Sequence, residues 1–292
     1  MTEARAVDWT IGSVLRWAGE DFRGRGIETP RLDAEVLLAH ALGTTRVQLV
    51  IDAARPLAEP ELARFRDLVR RRRRREPVAY IVGRREFYGR SFRVDARVLV
   101  PRPDTETLVE VALARTSPVA LSLRALDLCT GSGCVAVTIA RERPTSRVHA
   151  TDASSEAIAV ARENALRLGA YNVSFGQGDL YEAVAPDRRF DLVAANPPYV
   201  ASADVEGLSA DVRDFEPRAA LDGGADGLAL VRRVVSGAPA VLVRGGALAV
   251  EVGEGQAAWT AALLVDRGFE DVRATKDCGR IERVVSGRWP GA

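Results

Sequence analysis

Sulfur and imidazole are scarce in this chain. Only three of its 292 residues are cysteine, Cys129, Cys134 and Cys278, too few and too dispersed for a disulfide framework or a zinc site. Two histidines, His40 and His149, leave little material for histidine-based acid–base or metal chemistry, so no metal is expected. No apolar run approaches membrane-spanning length, and Met1 to Arg5 lacks a signal-peptide pattern. A cytoplasmic protein without a membrane partner is the expectation. A net charge of +1 argues against a whole-surface nucleic-acid binder. What is present is ordinary: 47% hydrophobic and 28% charged residues suffice for a sizeable core in roughly two domains.

One stretch organises the rest, Phe190 to Tyr199. Leu192, Val193, Ala194 and Ala195 suit a strand buried on both faces of a parallel sheet. The strand stops at Asn196, Pro197 and Pro198, because neither proline has an N–H for a sheet ladder and each fixes its own φ. The result is a stiff turn at a strand's carboxyl end, where open α/β sheets bind ligands. An Asn amide both donates and accepts, so it can pair with a planar amide or an amino-substituted ring. Pro197 offers a carbonyl and Tyr199 an aromatic face. On these letters alone, a plain strand-ending Asn-Pro turn is the competing reading.

The N-terminal third reads as helical. Ile11, Val14, Leu15 and Ala18 make one stripe, Pro30 to Gly43 a second helix and Glu61 to Arg75 a third, with Leu62, Phe65, Leu68 and Val69 on one face. His40 is expected to be a partly buried structural histidine. The six arginines Arg70 to Arg75 have two readings of equal weight, a phosphate-binding patch or cations favoured at a helix C-terminus. Phe87 to Val94 alternates about a Gly-containing turn, a β-hairpin between two domains. Pro101-Arg102-Pro103 then makes a rigid loop, either a linker or a lid over a cofactor.

Ala125 to Val137 is a strand, a glycine turn and a helix, with Asp127 at the strand end and Gly131 and Gly133 allowing close backbone approach to a ligand. No Gly-Lys-Ser/Thr follows, which excludes a P-loop NTPase. The next strand, Arg147 to Asp152, ends in an acid suited to the two ribose hydroxyls of a nucleotide. A third, Val173 to Gln177, leads to Asp179 and Leu180, placed for an adenine amino group and an adenine face. Leu242 to Val252 gives a further strand, and a helix to Asp266 and two strands within Val272 to Ser286 close the chain.

Strand-end acids, a glycine turn and Asn-Pro-Pro-Tyr after the fourth strand together resemble a class I S-adenosylmethionine-dependent methyltransferase that alkylates a planar NH2 nitrogen. Glu76 to Gly83, Phe87-Tyr88-Gly89, Val98 to Glu106, Glu216 to Leu221, Gly223 to Leu228 and Arg280 to Arg288 are similar to the bacterial release-factor glutamine methyltransferases, the PrmC/HemK family. The resemblance implies an α/β fold with a Rossmann-like seven-stranded sheet, a small N-terminal helical domain and a β-hairpin linker. The corresponding domains are 1–78 for substrate recognition, 79–103 for the linker and 104–292 for methyl transfer.

The resemblance also implies N5-methylation of the glutamine in the Gly-Gly-Gln loop of class I peptide chain release factors. Asp127, Cys129, Thr130, Gly131, Ser132, Gly133, Asp152, Asp179, Leu180 and Asn196 would hold S-adenosyl-L-methionine. Asn196, Pro197, Pro198 and Tyr199 would be the catalytic, substrate-holding set. Cys129 stands where the motif commonly has Gly, acceptable if the residue avoids positive φ. An adenine-N6 methyltransferase on DNA or RNA is the alternative, with the arginine run as its best support. A non-catalytic module that has kept the fold is a third reading, and a dehydrogenase has no hydride-transfer site to recommend it. No direct nucleic-acid partner is expected, and a monomer is the default.

Overall fold

The computed structural model describes residues 9–116 and 122–291. Met1 to Arg5, read above for a targeting pattern, lie outside the described residues. The chain divides into two compact units, Met1–Gly83 and Arg84–Ala292.

The first unit is helical: α1 Ile11–Gly24, α2 Pro30–Leu42, α3 Arg46–Ile51, α4 Glu59–Arg73 and α5 Val78–Val82. A capping box starts α1, with the Ser13 N–H donating to Thr10 Oγ1 (3.2 Å) and the Thr10 N–H to Ser13 Oγ (2.9 Å). Pro30 opens α2 and Gly43, at φ +64, closes it. Phe22, Leu37, Leu38, Phe65 and Val69 fill the core, each side chain contributing about 1.5–3 kcal/mol by burial. The helix α5 belongs here, although the sequence assigned residues from 79 onward to a linker, because Ile81 is buried in this helical core. His40 is exposed, not partly buried; it faces away from the stripe that buries Leu37 and Leu38.

The arginine run is mostly spoken for within this unit. Arg72 is buried and its Nε donates to Asp33 Oδ2 at 2.7 Å. Arg73 makes a two-pronged pair with Asp21 (2.9 and 2.7 Å), Arg71 pairs with Glu76, and Arg70 with Asp67 at 2.6 Å. A run read as a phosphate patch is therefore in large part the internal lacing of helices.

The second unit opens with a hairpin, β1 Arg84–Phe87 and β2 Arg90–Arg93. Tyr88 (φ +50) and Gly89 (φ +67) form its two-residue turn, both left-handed as a type I′ turn requires. Then follow α6 Glu106–Arg115, β3 Arg124–Leu128, α7 Cys134–Glu142, β4 Arg147–Asp152, α8 Ser155–Arg167, β5 Val173–Gln177 and β6 Phe190–Ala195. The chain ends with α9 Ala210–Arg213, α10 Ala229–Val241, β7 Leu242–Glu251, α11 Ala257–Asp266, β8 Glu270–Lys276 and β9 Glu282–Arg288.

Seven strands form one sheet in the order β5-β4-β3-β6-β7-β9-β8, parallel from β5 to β7, with β9 antiparallel to both its neighbours. Alternation along β6 sends Leu192 and Ala194 into the core on one face and Val193 and Ala195 into the core on the other. Both faces are covered, which is why the strand reads as a continuous apolar run. The chain winds outward from β3 to β5 and returns to β6 on the other side of β3. That reversal leaves a crevice at the carboxyl ends of β3 and β6.

Candidate active site

At this switch point lies a cavity of about 270 Å³. Of the residues the sequence nominates, Asp127, Cys129, Thr130, Gly131, Ser132, Asp152, Asp179, Leu180, Asn196 and Pro198 line it, whereas Gly133, Pro197 and Tyr199 do not. Gly133 serves packing instead. It takes φ +80, and a Cβ there would lie 3.0 Å from the Ala161 Cβ on α8.

The glycine turn is braced by two acids. Asp127, buried beneath it, accepts from Thr130 Oγ1 (2.6 Å) and the Ala136 N–H (3.2 Å). Burial pushes its carboxyl up to about 7, those two bonds opposing and Asp152 adding. Asp152 accepts the Gly131 N–H at Oδ2 and the Ser154 N–H at Oδ1, both at 2.9 Å. Burial raises this carboxyl too, with the backbone donors pulling it down.

Cys129 breaks the condition the sequence placed on it, for it stands at φ +58. The chain around it is pinned by the Thr130 N–H to the Thr151 carbonyl (3.0 Å) and by the Gly133 N–H to the Thr130 carbonyl (2.8 Å). Those bonds hold a left-handed residue at a strain of about 1–2 kcal/mol. Burial, with Asp152 and Asp127 nearby, raises the Cys129 thiol, and burial pushes Cys134 to about 12. Neither is a thiolate nucleophile at neutral pH.

Asp179 caps the turn before Leu180, and its carboxylate accepts from Arg233 Nη2 on α10 at 2.9 Å. Leu180 is held at φ +51 and is buried against the cavity. The turn after β6 is clamped from outside. The Val200 N–H donates to the Leu221 carbonyl (3.0 Å), the Gly223 N–H to the Val200 carbonyl (2.8 Å), and Gln256 Nε2 to the Tyr199 carbonyl (2.9 Å). A Cβ on Gly223 would fall 2.7 Å from the Pro198 oxygen, so only glycine lets the two strands of backbone meet. Tyr199 points its hydroxyl toward Glu251 Oε1 at 3.5 Å, which explains why its ring is not on the cavity wall. Asn196 Nδ2 donates to Thr105 Oγ1 at 3.2 Å.

Four contributors escaped the sequence reading as individual residues. Arg102 Nη2 bonds both oxygens of buried Glu216 (2.8 and 3.0 Å). This pair ties the Pro101–Pro103 loop to the segment carrying Pro217, Ala219 and Ala220, all on the cavity wall. Thr105, 1% exposed, is itself on the cavity wall beside Asn196, and Glu251, 0% exposed, follows Val250 at the level of Asn196 on the neighbouring strand. Their motifs are legible, but pairings across so many residues leave no local signal.

The wall fits S-adenosylmethionine in kind. Gly131 leaves open space where a side chain would stand, and the Asp152 carboxylate, with lone pairs beyond its backbone bonds, suits ribose hydroxyls. Leu180, Val135 and Ala157 give apolar surface for a flat base.

This fold and cavity define a class I S-adenosylmethionine-dependent methyltransferase. Residues 13–83 match the PrmC N-terminal domain and residues 105–211 the methyltransferase small domain. The release factor glutamine methyltransferase of Geobacter sulfurreducens is 46% identical over 288 residues, covering 99% of each chain. That of Burkholderia pseudomallei is 46% identical over 265 residues, 89% of this chain and 92% of its own. A solved methyltransferase from Pyrococcus furiosus, 18% identical, shares the fold with a TM-score of 0.51 over 70% of this chain and 91% of that one. The chain belongs to the release factor glutamine methyltransferase family.

Proposed function

We propose that this enzyme methylates the side-chain nitrogen (N5) of the glutamine in the Gly-Gly-Gln loop of class I peptide chain release factors. The observation that carries the reading is Asn196, whose NH2 is engaged by Thr105 at the cavity wall. Its carbonyl oxygen is thereby free to accept from a substrate NH2.

Bound S-adenosylmethionine supplies a methyl carbon on a positively charged sulfonium. An amide nitrogen is a poor nucleophile, its lone pair delocalised, so the residues act by placement and water exclusion. Asn196 Oδ1, on the cavity wall, would accept one hydrogen of the substrate NH2, and the Pro197 carbonyl, next along the same turn but outside the cavity lining, would accept the other. The substrate nitrogen would exchange one proton, passing to solvent, for the methyl group that bound S-adenosylmethionine would supply, while the residues of the turn after β6 hold the amide in place. Asp127, Cys129 to Ser132, Asp152, Asp179 and Leu180 hold the cofactor. Pro198, Tyr199 and Gly133 keep the turn and the glycine loop in shape. The helical unit serves substrate recognition, and the enzyme works as a cytoplasmic monomer.

The adenine-N6 reading loses its main support, since most of the arginine run is paired internally. The test is transfer of labelled methyl to a purified release factor beside its Gly-Gly-Gln→Gly-Gly-Ala variant. Label on the first alone is expected; label on both, or on nucleic acid instead, overturns the assignment. Asn196→Ala should lower turnover about a hundredfold or more, with cofactor affinity much less affected.

A further inference from the structure

We propose that the amino-terminal edge of the sheet carries a binding cleft for single-stranded RNA, on the side of the methyltransferase unit away from the active site. Binding there is separate from methyl transfer, so neither reading depends on the other.

β3, β4, β5 and β6 run parallel, so their first residues come to one edge. The candidate active site lies at the other edge, a strand's length away, roughly 17–20 Å. A cleft of about 450 Å³ opens here, lined by four arginines and one acid, Asp187. Arg124 and Arg147 begin β3 and β4 and are partners across the parallel ladder. Arg188 and Arg189 come just before β6. The floor is His149, its ring nitrogens 2.9 Å from Ser174 Oγ and 3.2 Å from the Ala183 carbonyl oxygen. Tyr171, between α8 and β5, stands at the rim and is 82% exposed.

The four guanidiniums are unequally provided for. Arg124 holds Asp191 through Nε and Nη2 at 3.2 and 3.1 Å. Arg189 Nη1 donates to the carbonyls of Pro186 and Arg188, at 2.8 and 2.9 Å, rather than to a carboxylate. Among the described residues, the Arg147 and Arg188 side chains have no hydrogen bond or ion pair, and Asp187 is in no salt bridge. The Arg70 to Arg75 run is the reverse case, mostly paired internally. Guanidiniums at one level of neighbouring strands repel each other, so their charge stays available to an incoming anion. The chain's net charge of +1 conceals this locally basic face.

Phosphate is the anion this arrangement suits, because a guanidinium presents paired donors to its oxygens. All four arginines are exposed, spread over three strand starts. That makes an open track, which fits successive phosphates of a backbone better than one small anion. Tyr171 then selects among polyanions. An exposed aromatic ring beside a positive track is a platform on which an unpaired base stacks, worth about 1–3 kcal/mol per base. A duplex hides its base faces and a run of acidic side chains has none, so a single strand alone uses both features. Asp187, an acceptor on the same wall, suits the 2′-hydroxyl that distinguishes RNA from DNA.

The experiment uses the full chain and a fluorescein-labelled oligouridylate of about 12 nucleotides, with anisotropy read between about 50 and 200 mM salt. Arg147→Gln with Arg188→Gln should weaken binding at least about tenfold and lower the slope of log K against log salt by about 1.4, two phosphate contacts on a single strand. Tyr171→Ala should weaken it roughly 5- to 100-fold with the slope unchanged. The deoxy strand should bind more weakly than the RNA. Arg23→Gln with Arg64→Gln removes the same charge from exposed positions of the helical unit and should leave affinity within about twofold. Melting temperature, methyl transfer and the KM for release factor should stay at wild-type values in every cleft variant. No binding by wild type, an equal loss in the helical-unit pair, a Tyr171→Ala without effect, or a deoxy strand bound as tightly would each overturn the inference. So would unchanged RNA binding with a raised KM for release factor, which would give the cleft to a protein surface.

Discussion

Asp33 in the helical unit and Glu251 in the methyltransferase unit are both buried acids, 5% and 0% exposed, but they are furnished in opposite ways. Asp33 accepts from Arg72 Nε and from Thr29 Oγ1, each at 2.7 Å, and Arg72 spends a second donor on the Glu76 carbonyl at 3.1 Å. Charge and hydrogen-bonding capacity are met in full. Glu251 has two hydroxyls near it, no bonded cation and one oxygen without a partner. The first acid is saturated and serves as a lock between α2 and α4. The second is left undersupplied beside the candidate active site, the kind of place where carboxyls with raised pKa values gather.

The largest expected effect tests the lock. Arg72→Met alone should destabilise the helical unit by about 3–5 kcal/mol, because it strands Asp33 without a counter-charge. Adding Asp33→Leu should restore most of that, since a packed apolar pair does without the desolvation of two charges. Melting of the two variants by circular dichroism checks both outcomes. A single variant costing under about 1 kcal/mol would erase the distinction between the two acids.

Glu251→Gln probes the opposite case, and the sign is specific. A carboxyl raised on folding from its ordinary 4.5 to about 7 stabilises the fold fully below about 4.5 and loses that contribution as pH rises through about 7. At pH 8 the wild type has lost roughly 3 kcal/mol relative to acid. Glutamine does not titrate, so the variant's advantage in melting temperature should grow from pH 5 to pH 8. A gap that is flat across this range would mean the carboxyl is not held neutral by burial. Asp127, likewise raised to about 7, contributes equally to both proteins and drops out of the difference.

What the sequence disclosed follows the reach of each interaction. Parallel strands buried along most of their length show it in sequence, so Arg147–Asp152 and the stop after Ala195 were legible to the residue, whereas the half-exposed edge strand Val173–Gln177 was legible from the Gly178-Asp179 turn that ends it. The helix Ala229–Val241 was not read, although Val231, Val234, Val235 and Ala238 make its buried stripe. Pro239 inside it interrupts the pattern expected of a helix interior. The arginine run misled in part because its partners Asp21 and Asp33 are distant in sequence. The same holds for Arg102 with Glu216 and for Thr105 with Asn196. Motifs show which residues matter, but only the fold shows which ones face one another.

Cys129 is the smallest effect and separates local preference from imposed geometry. The residue holds φ +58 because bonds from Thr130 and Gly133 fix its neighbours, while its side chain packs against the apolar core on that face of the sheet. Cys129→Gly relieves about 1 kcal/mol of strain, but it loses that packing and frees the unfolded chain. The two nearly cancel, and the melting temperature should move little. Cys129→Val keeps the packing and meets the left-handed backbone with a β-branched side chain, the worst fit for it. It should cost at least about 1–2 kcal/mol and loosen the glycine turn, seen as weaker cofactor binding with turnover at saturation less changed. If valine were instead as stable as cysteine, the neighbouring bonds would be yielding to the side chain, and the turn would be softer than its two bracing acids imply.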